Sequence, residues 1–203
     1  MRVLVIETAT AACSVALIEG GRTVARLHEV VGRGHAERLV PMVAELPGGG
    51  RADAVLVDCG PGSFTGVRVG LAAARGLGFG WGVPVSGYSS LALVAAQAAA
   101  IRADPGRVAA VVEGGHGEVF MQLFDFDLSP VGDLASLKPE AALALLGGIP
   151  AYGTGAARLL ATDPNADATD LLPDAGEAWR LPDALAALPP RPLYGRAPDA
   201  KLP

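Results

Sequence analysis

The sequence is poor in the residues that build disulfide frameworks, aromatic pockets and basic surfaces. Of its 203 residues two are cysteines, 5% are aromatic and 18% are charged, and the formal net charge is −5. Because 51% of the residues are hydrophobic, a disordered chain is excluded. An acidic chain lacks the field that attracts phosphate backbones, so we expect a basic partner to supply most of the contacts to any RNA.

Cysteine usage and the apolar tracts indicate the compartment. Cys13 and Cys59 lie in apolar, strand-like runs, which predicts buried free thiols rather than a disulfide or a metal site. The apolar N-terminus meets Glu7 within one short strand, and no cleavage site follows it. The longest apolar tract, 91–101, is too short to span a bilayer. We therefore expect a cytoplasmic protein with no membrane partner.

The first half of the chain predicts the order βββαβαβα. Apolar runs bounded by glycine turns give the strands, and Gly20-Gly21 is typical of a hairpin turn. The predicted strands lie at 3–9, 13–19, 22–30, 54–58 and 83–86. Apolar residues at helical spacing give the helices. The predicted helices lie at about 35–46, 67–80 and 90–103.

The second half repeats this order in shortened form. Strands are predicted at 108–113, 118–125, 131–134 and 149–152. Helices are predicted at about 139–146, up to 161, and over 175–188. A duplicated βββαβα unit indicates an α/β, actin-like architecture with two lobes. We predict an N-terminal lobe at 1–104 and a smaller C-terminal lobe at 105–203 that ends in a proline-rich tail.

A glycine-rich turn between the strand at 54–58 and the second helix is a candidate anion site. Free N–H groups and the helix dipole converge there, and the candidate residues are Gly60, Gly62, Ser63, Thr65 and Gly66. The turn lacks the Lys-Ser/Thr pair of a P-loop and the G-x-G-x-x-G spacing of dinucleotide sites. The residues themselves favour a structural alternative, in which Pro61 and Gly62 form the turn and Ser63 or Thr65 caps the helix.

The helix after this turn carries glycines that cost it stability. Each interior glycine destabilises a helix by roughly 0.5–1 kcal/mol relative to alanine. Close approach of another backbone would offset that cost. The spacing leaves open whether that backbone belongs to the same chain or to a partner.

The same segment carries a family resemblance. The stretch GPGSFTGVRVGLAAARGL at 60–77 closely resembles the signature of TsaB proteins, relatives of the Gcp-like group once classed as glycopeptidases. The opening VIETATAACSVAL, the helix HAERLVPMV and the tail PLYGRAPDAK agree in order and spacing, so the resemblance covers nearly the whole chain. It implies an actin/Hsp70/sugar-kinase (ASKHA, RNase H-like) fold. The chain departs from the family at Glu7, generally Asp in TsaB, and at Glu113-Gly114-Gly115.

The resemblance implies a subunit without catalytic, metal or cofactor sites. Active members of the fold hold phosphates with an Asp-x-Gly-x-Thr-like turn after the first strand, where this chain has Glu7-Thr8-Ala9-Thr10. The catalytic relatives, TsaD proteins, carry a metal on a helical His-x-x-x-His pair. The three histidines here, His28, His35 and His116, have no metal-ligand spacing.

The resemblance also implies partners. TsaD transfers a threonylcarbamoyl group to the adenosine 3′ of the anticodon in tRNA; this chain would bind TsaD together with TsaE, contact tRNA only indirectly, and form a homodimer in isolation. The implied partner-binding residues are His35, Leu39, Met42, Val43, Leu46, Val67, Leu71, Ala74, Arg75 and Gly78. The alternative is a stand-alone enzyme, glycopeptidase-like or a nucleotide-dependent phosphotransferase, using the glycine-rich turn and Ser63.

Overall fold

The computed structural model describes residues 1–102 and 106–195. The first half contains one five-stranded sheet and three helices. The strands are β1 (Arg2–Glu7), β2 (Ala12–Glu19), β3 (Arg22–Val30), β4 (Ala54–Asp58) and β5 (Val85–Tyr88). The helices are α1 (His35–Glu45), α2 (Phe64–Trp81) and α3 (Ser90–Ile101).

The first sheet has the order β3-β2-β1-β4-β5. The first three strands pair antiparallel, and Gly20 and Gly21 adopt positive φ in the tight hairpin turn between β2 and β3. The β1, β4 and β5 strands pair parallel, so their carboxyl ends meet at one edge. Alternate side chains of the sheet enter two cores: one beneath α1 and α2, the other beneath α3.

The second half repeats the arrangement with shorter elements. It comprises β6 (Val108–Glu113), β7 (Val119–Phe124), β8 (Pro130–Leu137), α4 (Pro139–Leu146), β9 (Ala151–Tyr152), α5 (Ala156–Thr162) and β10 (Ala168–Thr169). Its sheet order is β10-β9-β6-β7-β8. Read from the other edge, this order matches that of the first sheet, with β6 in the central position of β1. The buried helix α3 packs on both sheets. This duplication confirms the predicted α/β, actin-like fold.

Three element predictions needed correction. Helix α2 begins at Phe64, and β5 lies at Val85–Tyr88. The predicted helix at 175–188 is two separate 3₁₀ turns, Ala175–Arg180 and Asp183–Leu185, because Pro182 has no N–H to continue a helix. The predicted lobe boundary at 104/105 and the tail residues 196–203 lie outside the described residues, so the division into lobes stays a prediction.

The C-terminal segment returns to the first sheet. Asp174 is nearly buried, and its carboxylate accepts hydrogen bonds from Arg26 at 2.7 Å and from the Ser14 hydroxyl at 3.3 Å. Further on, Leu188 pairs with Gly87 of β5, and the Leu193 N–H donates to the Cys59 carbonyl at 2.8 Å. Residues 188–195, here called the strap, therefore lie along the edge of the first sheet.

Candidate functional site

Three buried polar side chains meet where the parallel strands of the first sheet end. Glu7 ends β1, Asp58 ends β4 and Tyr88 ends β5, and all three are 0% exposed. The Tyr88 hydroxyl donates to Glu7 Oε2 at 3.0 Å, and the Ala9 N–H donates to Glu7 Oε1 at 2.9 Å. The Gly60 N–H donates to Asp58 Oδ1 at 2.8 Å. These bonds fix both carboxyl groups against the chain's own backbone.

The environment of the two carboxyl groups favours their protonated forms. Burial, reinforced by the neighbouring charge of Asp58, raises the pKa of Glu7 well above its ordinary value. Burial also raises the pKa of Asp58 to about 7, although the Gly60 N–H opposes the shift. Burial likewise raises the pKa of the Tyr88 hydroxyl. At neutral pH the pair therefore retains a proton.

The turn after β1 is closed by contacts with the start of α2. The Ser63 N–H donates to the Ala9 carbonyl at 2.7 Å, and the Thr8 hydroxyl donates to the Gly66 carbonyl at 2.8 Å. A Cβ at Gly62 would collide with the Ala9 carbonyl oxygen, and one at Gly66 with that of Thr8. These two glycines therefore serve the close approach of two segments of the same chain.

The remaining residues of the glycine-rich turn match the structural alternative. Ser63 is the N-cap of α2, and its hydroxyl accepts from the Gly66 N–H at 3.2 Å. Gly60 has a φ of 89° and Thr65 is exposed. An anion-binding role for the turn stays a prediction, while its glycines are explained without a ligand.

The structure places nearly all of the predicted partner-binding residues in the core of the first half, and their role in partner binding stays a prediction. The apolar members of that set are at most 6% exposed, and they pack beneath α1 and α2 against the sheet. These residues are Leu39, Met42, Val43, Leu46, Val67, Leu71 and Ala74. His35 is 5% exposed, and its Nε2 lies 3.1 Å from the Ala12 carbonyl oxygen. Gly78 is buried against Val85, which leaves Arg75 as the one exposed member. The helical spacing of these apolar residues therefore indicates the side of α1 and α2 that packs into the chain's own core.

The opposite side of the same two helices is exposed and largely apolar, although Glu37 on α1 also lies there. It carries Ala36, Val40 and Ala44 on α1, and Ala72, Gly76 and Phe79 on α2. Val40 is 58% and Phe79 92% exposed. These six residues are called the outward face below. An exposed apolar surface of adjacent helices is typical of a protein–protein contact.

A cleft of about 1020 Å³ lies between the two sheets, beside the glycine-rich turn. The turns that follow β1 and β4 form one wall, and the hairpin between β6 and β7, with Thr154, forms the other. Glu113 on the far wall pairs with Arg158, and Glu118 lies 3.7 Å from Lys138. The strap residues Leu193 and Tyr194 also line the cleft.

Within residues 1–102 and 106–195, no group of three or more His, Cys, Asp and Glu side chains could hold a metal ion. Cys13 and Cys59 are buried free thiols, as predicted. Across the same described ranges, no helix has the length and apolar character needed to cross a membrane.

Sequence reasoning noted Glu7 only as a departure and missed Asp58 and Tyr88. A usable signal existed, because Glu7 and Asp58 each end a continuous apolar strand, and parallel strands bring such ends to the same edge. Tyr88 had no comparable signal, since its hydroxyl reaches Glu7 only through the pairing of β5 with β4.

Comparisons with known proteins agree on one family. Residues 27–145 match the family model TsaD, tRNA N6-adenosine threonylcarbamoyltransferase. The chain is 40% identical over 149 residues to the tRNA threonylcarbamoyladenosine biosynthesis protein TsaB of Escherichia coli, covering 69% of this chain and 64% of that protein. It is 38% identical over 125 residues to TsaB of Haemophilus influenzae, covering 59% of this chain and 52% of that protein. The chain thus spans less than two thirds of the length of either TsaB.

A solved structure extends the similarity to the full chain. YeaZ from Pseudomonas aeruginosa has a TM-score of 0.79 and 32% sequence identity, and the match covers 95% of this chain and 99% of that chain. An uncharacterized protein of Mycobacterium tuberculosis is 33% identical over 98% of this chain and 93% of its own length. The full-length agreement includes both sheets, so the similarity is not confined to the glycine-rich segment.

Proposed function

The chain belongs to the TsaB/YeaZ family of Gcp-like proteins, and from this we propose that it is a non-catalytic subunit of the assembly that makes threonylcarbamoyladenosine in tRNA. It acts in the cytoplasm by binding the catalytic subunit TsaD and stabilising its active conformation. A ligand that binds one conformation better than another shifts the population toward it, which is the physical basis of such an activation.

The closed end of the first sheet supports a role without chemistry. At the edge where parallel strands of open α/β sheets usually receive ligands, Glu7 and Asp58 are buried and retain a proton. The turn that would approach a phosphate is occupied by contacts between Ala9, Ser63 and Gly66. Ser63, the nucleophile of the alternative enzyme reading, accepts a hydrogen bond as the cap of α2. No observation on the described residues favours that alternative.

The single observation that carries the binding role is the outward face. Its small residues allow another helix pair to approach closely, and Val40 and Phe79 supply exposed apolar area. We assign TsaD to this face, with TsaE joining the assembled pair. In the absence of TsaD, two copies of this chain bury the same face as a homodimer.

Reconstitution tests the proposal. The purified chain is mixed with TsaD and TsaE of the same bacterium, threonylcarbamoyl-adenylate and tRNA, and the modified nucleoside is measured by mass spectrometry. We expect modification only when the chain is present, and none from the chain alone. Full modification without the chain contradicts the proposal.

A matched pair of variants tests the face. A Cβ at Gly76 meets nothing within 4 Å, so Gly76→Arg leaves the fold intact and places a charge in the contact. Ala161→Arg adds the same side chain at an exposed position of α5. We expect Gly76→Arg to abolish co-purification with TsaD and Ala161→Arg to preserve it. Equal co-purification of both variants removes the outward face from the proposal.

A further inference from the structure

The negative net charge of the chain is unevenly distributed. Residues 59–101 contain two arginines, Arg68 and Arg75, and no Asp, Glu or Lys. Residues 184–195 contain Arg191 and no other charged residue. Helix α2, β5 and the strap are built from these two segments, so none of these three elements carries a carboxylate.

The strap places these arginines together with exposed aromatic rings. The Arg68 guanidinium lies 3.2 Å from the centroid of the Phe64 ring and 5.8 Å from that of Tyr194. It also donates to the Tyr194 hydroxyl at 3.0 Å. The Arg75 guanidinium donates to the Pro190 carbonyl of the strap. Phe64 and Tyr194 nevertheless remain 68% and 64% exposed, so their rings are available to a further partner.

Several arginines elsewhere in the chain are held in ion pairs. Arg38 pairs with Glu29 and Glu45, and Arg26 pairs with Asp174. In contrast, none of Arg33, Arg68, Arg75 and Arg191 makes an ion pair with any residue in the described part of the chain. Arg33 and Arg68 also line the cleft. The basic strip is defined here as Arg33, Phe64, Arg68, Arg75, Arg191 and Tyr194.

We propose that the basic strip binds single-stranded RNA directly, with bases stacked on Phe64 and Tyr194 and phosphates beside the arginines. Exposed aromatic rings interleaved with arginines are the combination by which proteins hold unpaired nucleotides. An acidic peptide would pair with the arginines but would leave the two rings unused. The choice of RNA over other nucleic acids rests on the proposed function, and it differs from the expectation that tRNA is contacted only indirectly.

The strip and the outward face are neighbouring surfaces of α2, because Arg75 lies three residues from Ala72 and four from Phe79. Phe64, Arg68 and Arg75 lie on the side of α2 that contacts the strap, whereas Ala72 and Gly76 point away from the sheet. The cleft behind the strip, about 1020 Å³, has room for an extruded nucleotide. Its far-wall carboxylates, Glu113 and Glu118, are paired with Arg158 and Lys138.

Fluorescence anisotropy with the full chain and a labelled, unstructured RNA of roughly 12 nucleotides tests the inference. We expect saturable binding at about 50 mM salt that weakens steeply by about 200 mM. Arg33→Ala/Arg68→Ala should lower the affinity at least tenfold and reduce the slope of log affinity against log salt by about 1.4, since each phosphate contact contributes about 0.7. The control, Arg22→Ala/Arg51→Ala, removes the same charge from exposed positions elsewhere and should change neither.

A second pair separates stacking from general charge attraction. Phe64→Leu/Tyr194→Leu should weaken RNA binding at least tenfold without changing the salt slope. Phe126→Leu, at a ring that is 73% exposed on the second half of the chain, is the control and should bind normally. No binding at low salt, equal weakening by the arginine control, or full binding by the aromatic variant overturns the inference. Because TsaD and TsaE are absent from this assay, its failure is distinct from failure of the reconstitution.

Discussion

Helix α2 has two apolar faces, one buried against the sheet and the other exposed to solvent. Val67, Leu71 and Ala74 face the sheet and are at most 6% exposed, whereas Phe79 on the outward face is 92% exposed. A surface helix normally has one apolar stripe and a polar remainder. In α2 the remainder is apolar apart from Thr65 and two arginines, which indicates that another polypeptide covers the second face. Apolar residues at helical spacing therefore predict that a helix face is buried, but they do not show whether the same chain or another polypeptide covers it.

A charge on the inward face should have the largest effect. In Leu71→Asp a carboxylate replaces a side chain that is 3% exposed, so an unpaired charge is buried in the core. We expect a loss of about 3–5 kcal/mol or more in unfolding free energy, which suffices to unfold a chain of marginal stability. Circular dichroism during thermal unfolding measures it. Ala72→Asp, one residue further on the exposed side, is the control and should remain folded.

The buried carboxyl pair at the end of the first sheet extends the comparison to pH. Asp58 has a folded-state pKa of about 7 against an ordinary value of 3.8, so the folded state keeps a proton that the unfolded state releases. The contribution of this group to stability is therefore fully present below about pH 4 and is lost as the pH rises through 7. Asp58→Asn removes this loss and should raise the unfolding free energy at pH 8 by up to roughly 4 kcal/mol, with little effect at pH 4.

Denaturant unfolding of both proteins between pH 4 and pH 8 measures the difference. A smaller pH slope should persist in the variant, because Glu7 remains buried with a raised pKa. An Asp58→Asn variant with the wild-type slope would show that this carboxyl group does not hold the proton.

Two glycines of α2 make a finer comparison of its faces. A Cβ at Gly78 would meet Val85 at far less than contact distance, while one at Gly76 meets nothing within 4 Å. We expect Gly78→Ala to lose about 1–3 kcal/mol through overpacking, and Gly76→Ala to gain about 0.5–1 kcal/mol through helix propensity. Thermal unfolding of the two variants measures both changes in stability. Changes of the same sign would refute the assignment of Gly78 to the buried face and Gly76 to the exposed face.

The smallest effect on stability is expected at the most exposed ring. Phe79→Ser removes a side chain that is 92% exposed, so the unfolding free energy should change by no more than about 0.5 kcal/mol. Self-association, measured by sedimentation, should weaken at least tenfold if the outward face forms the homodimer. A variant that associates as the wild type does would place the homodimer contact elsewhere.

The order of strands and helices was accessible from sequence because it depends on local patterns. Alternation and continuous apolar runs predicted both sheets, and helical spacing predicted α1. The two-residue strand β10 and the 3₁₀ turns at 175–185 were missed, since such short elements have no period to detect. The carboxyl pair was missed because Glu7 and Asp58 are 51 residues apart and meet only through the pairing of β1 with β4.

By itself the sequence determined the duplicated α/β fold, the buried free cysteines and the need of the glycines in α2 for a closely approaching backbone, from this chain or from a partner. Each follows from patterns within one element or from a side chain too small to be replaced. The tertiary structure decided which face of α1 and α2 remains exposed, where the strap lies, and that Phe64, Arg68 and Tyr194 form one surface. Helical periodicity determines which side of its own helix a side chain lies on. Whether that side is buried depends on which distant segment of the chain packs against it.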